Sequence, residues 1–151
     1  MDTSMSDFKR VTDSLFVSPQ INAADIDAAA GQGITLIVNN RPDGEEGGQP
    51  ANADLAAIAE SKGIKWAAIP VTPGQLSFEA VETMGFALRD AEGPVLAFCR
   101  SGTRSCTLWA LSEALTQGRT TEDILTHASQ AGYDLSDMVP TLEHLQKTNA
   151  G

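Results

Sequence analysis

The chain has 151 residues, 42% hydrophobic and 20% charged, a balance suited to one compact globular domain with a single sizeable core. A formal net charge of −10 argues against nucleic acid or an anionic membrane as the main partner, and any anionic ligand needs a local basic site. The two cysteines, Cys99 and Cys106, make no disulfide framework, and the two histidines lie far from them in sequence and form no metal motif. No metal or other cofactor is therefore expected. No apolar run approaches the ~18 residues of a membrane span, and Met1 to Arg10 lacks the apolar stretch of a signal peptide, so a cytoplasmic location is the expectation.

Along the chain, Phe8 to Val11 and Leu15 to Ser18 flank Thr12-Asp13 and predict a short hairpin. Asn22 predicts the N-cap of a helix through Ala30, ended by Gly31 and Gly33. The β-branched run Ile34 to Val38 predicts a buried strand, followed by a polar loop from Asn39 to Pro50. Ala51 to Lys62 reads as a helix with Leu55, Ile58 and Ala59 on one face, stopped by Gly63. Ile64 to Ile69 is the next strand, broken by Pro70-Val71-Thr72-Pro73-Gly74. Ser77 predicts the cap of a helix whose Phe78, Val81, Met84, Gly85 and Leu88 share a face.

Gly93-Pro94 turns into a strand ending at Cys99, and helices follow over Ser105 to Thr116, Glu122 to Gln130 and Leu135 to Lys147, separated by Gly118 and Gly132. The alternation predicts an α/β fold, a mainly parallel central sheet flanked by helices on both faces, as one domain over residues 1–151. Ligands bind beyond the carboxyl ends of such strands. Three loops should meet there: Asn39 to Pro50, Pro70 to Leu76, and Cys99 to Arg104.

The last of these carries the chemistry. An apolar strand ends in Cys99, and Arg100, Ser101, Gly102, Thr103, Arg104 and Ser105 lead into a helix. Backbone N–H groups and the dipole at a helix N-terminus attract anions, and with guanidinium charge they favour a thiolate at Cys99. Such a thiolate attacks phosphorus or sulfur. Two arginines within five residues make an inert strand-end cysteine the poorer reading.

Arg104 is the expected oxyanion clamp, because its planar fork suits tetrahedral anions; Arg100 joins it, points to solvent or pairs with a nearby acid, the last two being the better readings. The Ser105 hydroxyl either supports the Cys99 thiolate or caps the helix, and the two roles are compatible. Cys106 reads as a small buried helix residue rather than a resolving thiol. Asp43, Glu45 and Glu46 cluster in the first loop. Either one of them is a general acid with a pKa raised by burial, or they form a solvated acidic turn, with Arg41 a salt-bridge partner. His127, His144, Trp66 and Trp109 read as structural.

Ser18-Pro19-Gln20, Arg41-Pro42-Asp43-Gly44-Glu45-Glu46 with Gln49-Pro50, Ile69-Pro70-Val71, and Gly93-Pro94-Val95 running into Cys99 to Ser105 carry a family resemblance. Over roughly residues 8 to 115 the chain resembles a bacterial phosphatase family also found fused to beta-lactamase-like hydrolases, within the protein-tyrosine and dual-specificity phosphatase-like superfamily. The resemblance implies that fold, Cys99 as nucleophile and Arg104 as phosphate clamp. It further implies the amides of Arg100, Ser101, Gly102 and Thr103 as cradle and Ser105 as thiolate support. The implied reaction is hydrolysis of a phosphomonoester through a thiophosphoryl-cysteine.

Two departures stand out. Phosphatases of that superfamily place five residues between cysteine and arginine, whereas four separate Cys99 from Arg104, which shortens the loop by up to ~3.5 Å of chain. No aspartate occupies Pro70 to Ser77, where many relatives carry the acid, so Asp43, Glu45 or Glu46 would serve, or an activated leaving group would be needed. The Cys99-to-Ser105 loop by itself is also similar to that of rhodaneses, which implies a Cys99 persulfide formed from a sulfane-sulfur donor. Phosphatase, sulfurtransferase and noncatalytic phosphate-binding module remain the three readings, each with a small anionic ligand. No motif speaks to oligomeric state.

Overall fold

The computed structural model describes residues 8–72, 76–116 and 119–150. Within them, β1 (Lys9–Thr12), β2 (Leu15–Ser18), β3 (Leu36–Asn39), β4 (Lys65–Ala68) and β5 (Val95–Phe98) form one sheet in the order β1-β2-β5-β3-β4. β1 and β2 are antiparallel, as the hairpin reading expects, and the other neighbours are parallel. The helices are α1 (Ala23–Gly31), α2 (Asn52–Ser61), α3 (Phe78–Asp90), α4 (Thr103–Thr116), α5 (Thr121–Gln130) and α6 (Val139–Ala150).

Side chains alternate across the sheet and divide the apolar residues between two layers. Phe16, Leu96, Ile37 and Trp66 form one row across β2, β5, β3 and β4, and the next row is Val17, Ala97, Val38 and Ala67. The first row packs with Ile26 and Ala29 of α1 and Leu55 and Ala59 of α2. The second packs with Val81 and Met84 of α3, Leu108 and Trp109 of α4, Ile124 of α5 and Leu142 of α6. With both faces covered, β3 and β5 are buried along their whole length, which is why they read as continuous apolar runs.

Local signals set the helix ends. Asn22 and Asp25 form a reciprocal capping box on α1, and the Ser77 hydroxyl accepts the Ala80 N–H at the start of α3. Gly33 and Gly63 take φ of +80° and +79°, which lets the N–H of Ile34 and Ile64 bond back to Ala29 and Ala59. Most other boundaries fall within two residues of expectation. α4 is the consequential shift: it starts at Thr103, so Ser105 lies in its first turn and is not its cap.

The last predicted helix is split into a 3-10 turn, Ser136–Met138, and α6. Phe78, expected on the buried face of α3, is 56% exposed, because the first turn of the helix overhangs the core that Val81, Met84 and Gly85 enter. The expected breaks at Pro73-Gly74 and Gly118 lie outside the described residues. No helix among the described residues is long and apolar enough to cross a membrane.

The chain leaves β2, builds β3 and β4 with α1 and α2 on one face, then returns through α3 to insert β5 between β2 and β3. The winding reverses at β5, so a switch point opens at its carboxyl end. Cys99 is the next residue, and by alternation it continues the Ala97 side of the sheet, toward α4.

Candidate active site

Cys99 is fully buried, and the Gly102 N–H donates to its Sγ at 3.1 Å. Gly102 is the last residue before α4, has φ of +96°, and accepts the Cys106 N–H on its carbonyl. An amide at the positive end of a fourteen-residue helix therefore faces the sulfur.

Arg104, in the first turn of α4, grips one carboxylate from two sides. Nη1 donates to Glu45 Oε2 at 2.6 Å and Nη2 to Glu45 Oε1 at 2.9 Å, while Nη1 also donates to the Val71 carbonyl at 2.7 Å. Three of the five guanidinium N–H groups are used in this way, leaving Nε–H and one Nη2–H for an anion. The hydrogen bond to Glu45 outweighs burial and raises the Arg104 pKa, and contact with Cys99 raises it further.

Glu45 also accepts from a second arginine. Arg41 is only 2% exposed and donates Nε–H to Glu45 Oε1 at 2.8 Å, Nη2 to Glu46 Oε1 at 3.0 Å and Nη1 to Gln20 Oε1 at 2.9 Å. Burial opposes its charge, but the two carboxylates prevail and its pKa is raised. Gln20 closes the circuit, since its backbone N–H donates to the Arg100 carbonyl at 3.2 Å. The segments Ser18 to Gln20, Arg41 to Glu46 and Pro70-Val71 thus meet around the Cys99 loop.

This arrangement alters the reading of the acidic cluster. Hydrogen bonding from Arg104, against burial and with help from Arg41, lowers the Glu45 pKa to about 2. Glu46 is lowered first by Arg41 and then by the charge of Arg100. Burial does not raise either carboxyl, because guanidinium partners dominate, so neither holds a proton at neutral pH. Asp43 accepts the Asn52 N–H at 2.8 Å and satisfies the start of α2. The cluster is neither a poised acid nor a free solvated turn. Its centre, Glu45, holds the two arginines.

A stability prediction follows. The Glu45 carboxyl falls from 4.5 to about 2 on folding, so its contribution is complete above pH ~4.5 and is lost as pH drops through ~2. At neutral pH, Glu45→Gln is expected to cost about 3 kcal/mol in chemical denaturation, because it leaves a buried guanidinium short of its charge partner. The variant should also show a shallower fall in stability between those pH values than the native chain.

The remaining candidates are placed as follows. Ser105 is buried and donates its hydroxyl to Asn40 Oδ1 at 2.7 Å, rather than to Cys99. Asn40 in turn donates Nδ2–H to the Ile69 carbonyl and its backbone N–H to Phe98, tying the ends of three strands together. Sequence reading passed over Asn40 because nothing local marks a contact with a residue 65 positions away. Arg100 is 67% exposed at the rim, with Nη2 3.4 Å from Glu46 Oε2. The Ser101 hydroxyl donates to Thr103 Oγ1 and accepts the Thr103 N–H, a local bridge at the start of α4.

Cys106 is buried, and burial followed by the nearby Cys99 pushes its thiol up to about 12. His127 donates Nδ1–H to the Val11 carbonyl at 2.8 Å, pinning α5 to β1, and His144 is exposed. Trp66 meets Phe98 edge-on, and Trp109 is buried in the larger core. Among the described residues no cluster of three His, Cys, Asp or Glu is placed to hold a metal ion.

Comparison with known proteins agrees with this architecture. The Agrobacterium fabrum beta-lactamase hydrolase-like protein is 35% identical over 134 residues, covering 89% of this chain and 31% of the relative, so the chain spans about a third of that protein's length. A candidate phosphatase from Neisseria meningitidis superposes with a TM-score of 0.82 at 34% identity, covering 92% of this chain and 98% of its own. A substituted P. aeruginosa TpbA, solved with phosphotyrosine, shares the fold at a TM-score of 0.69 and 18% identity, over 100% of this chain and 94% of its own. Residues 7–116 match the phosphatase-like domain of beta-lactamase hydrolase-like proteins, and the chain belongs to that family.

Proposed function

We propose that this member of the phosphatase-like family is a cysteine-dependent phosphatase for small phosphate esters, with residues 1–151 acting as one catalytic unit. The observation that carries the proposal is the Gly102 N–H donating to Cys99 Sγ at 3.1 Å, with the guanidinium of Arg104, whose charge the nearby Cys99 favours, held in a two-pronged grip by Glu45. Both groups favour a thiolate and then the charge that builds on the phosphoryl oxygens. The sulfur lone pair attacks phosphorus, the ester P–O bond breaks, and the leaving oxygen departs with its electron pair. Water then attacks the thiophosphoryl-cysteine, releasing inorganic phosphate and restoring the thiolate.

The leaving oxygen meets no placed proton donor among Asp43, Glu45 and Glu46, since Asp43 serves α2 and both glutamates are ion-paired. A general acid contributes about 10²- to 10⁴-fold where it acts. Aryl phosphates, whose leaving groups are stable as anions, should therefore outrun alkyl phosphates by a factor in that range.

The phosphatase reading gains support from the family and the relatives, and the rhodanese-like reading gains none from them. The short Cys99-to-Arg104 spacing keeps that second reading in the test. Aryl phosphate is supplied in one assay and thiosulfate with cyanide in another. Phosphate release is expected in the first. Thiocyanate in the second with no phosphate in the first would reverse the assignment, and turnover of neither would leave an anion-binding module.

A further inference from the structure

We infer that Tyr133, on the connection between α5 and α6, is a positioning residue that aims the Gly102 amide at Cys99. The inference rests on the thiolate role proposed for Cys99, and Tyr133 lies beyond residues 7–116, the segment that matches the family.

A trans peptide is planar, with its C=O and the following N–H pointing in opposite directions. The Tyr133 hydroxyl donates to the Ser101 carbonyl at 3.2 Å. The N–H of that same peptide unit belongs to Gly102 and donates to Cys99 Sγ at 3.1 Å. One peptide thus joins the phenol to the sulfur, and a hydrogen bond at its oxygen both fixes its orientation and polarises its N–H. The preceding peptide is held in the same manner by the Gln20 N–H on the Arg100 carbonyl.

The loop needs such a pin. Glycine moves readily between backbone regions, so the Ser101–Gly102 peptide is the one best able to flip and turn its carbonyl toward the sulfur. Tyr133 opposes the flip and also lies over Gly102. A Cβ at position 102 would come within 2.1 Å of the phenol oxygen and 2.9 Å of Cζ. Tyr133 is itself firmly set. Its N–H bonds to the Ala128 carbonyl at 2.8 Å at the end of α5, and Ala131 and Leu135 beside it are buried.

Tyr133→Phe removes the hydroxyl and keeps the ring over Gly102. The ultraviolet absorbance of the thiolate is titrated in this variant and in the native chain, each as a difference against the matching Cys99→Ser protein, which cancels any contribution from Cys106. The midpoint in Tyr133→Phe is expected to move up by about half a pH unit, the scale of one neutral hydrogen bond acting through a peptide. The acid limb of kcat/KM for an aryl phosphate should move with it. An unchanged midpoint would overturn the inference, whether or not the melting temperature falls, because packing alone lowers stability without moving the titration. If no phosphate ester is turned over, the absorbance titration still decides the role of Tyr133, so its failure and that of the phosphatase reading are separable.

Discussion

Cys99→Ser is expected to remove phosphate-ester turnover by at least about 10³-fold while leaving the fold and anion binding in place. A serine hydroxyl must lose its proton before it attacks, and among the described residues neither Glu45 nor His127 is free to take it. Glu45 is committed to Arg41 and Arg104, and His127 is held on α5 against the Val11 carbonyl. The smaller oxygen fits where the sulfur sits, fully buried at the end of β5, and the Gly102 N–H remains able to donate to it. Steady-state rates with an aryl phosphate and phosphate titration by calorimetry check the two halves of this prediction. Undiminished turnover would move the nucleophile to another residue.

Arg104→Lys should reduce kcat/KM by about 10²- to 10³-fold, the scale of losing one preorganised donor to a developing oxyanion. Arg104 serves two groups at once: its Nη1 and Nη2 bind Glu45 and Val71, which leaves Nε–H and one Nη2–H for an anion. A lysine has one nitrogen and cannot span both. Glu45 keeps Arg41, so the loop from Arg41 to Glu46 should stay ordered and circular dichroism should be unchanged. Full activity in the lysine variant would show that the guanidinium fork has no part in binding the anion.

The contrast between Arg104 and the acidic cluster shows what the sequence can and cannot disclose. Elements and their order were legible because they depend on local rules: the Asn22 and Ser77 caps, the β-branched run before Asn39, and the apolar strand that delivers Cys99. The approach of Arg41 to Glu46 and of Val71 to the Cys99 loop was legible as well, since it follows from the parallel sheet, whose loops gather beyond the carboxyl ends of its strands. Charge state was not. Whether a carboxyl is raised or lowered depends on whether burial or a guanidinium dominates, and Arg104, the first of the two guanidinium partners of Glu45, is 59 residues away. Ser105 illustrates the same limit, with a two-residue shift in the start of α4 and a distant Asn40 redirecting its hydroxyl. Phe78 had the right helical period, but period alone does not tell how far the core extends beneath the first turn.

The most direct test of the account is to mix the protein with an aryl phosphate, quench in acid within one turnover, and locate the adduct by peptide mass spectrometry. A single phosphoryl group on the peptide carrying Cys99, absent from Cys99→Ser, is the predicted result. Phosphate release with no adduct on Cys99, or a thiosulfate-derived persulfide there with no phosphoryl adduct, would contradict it.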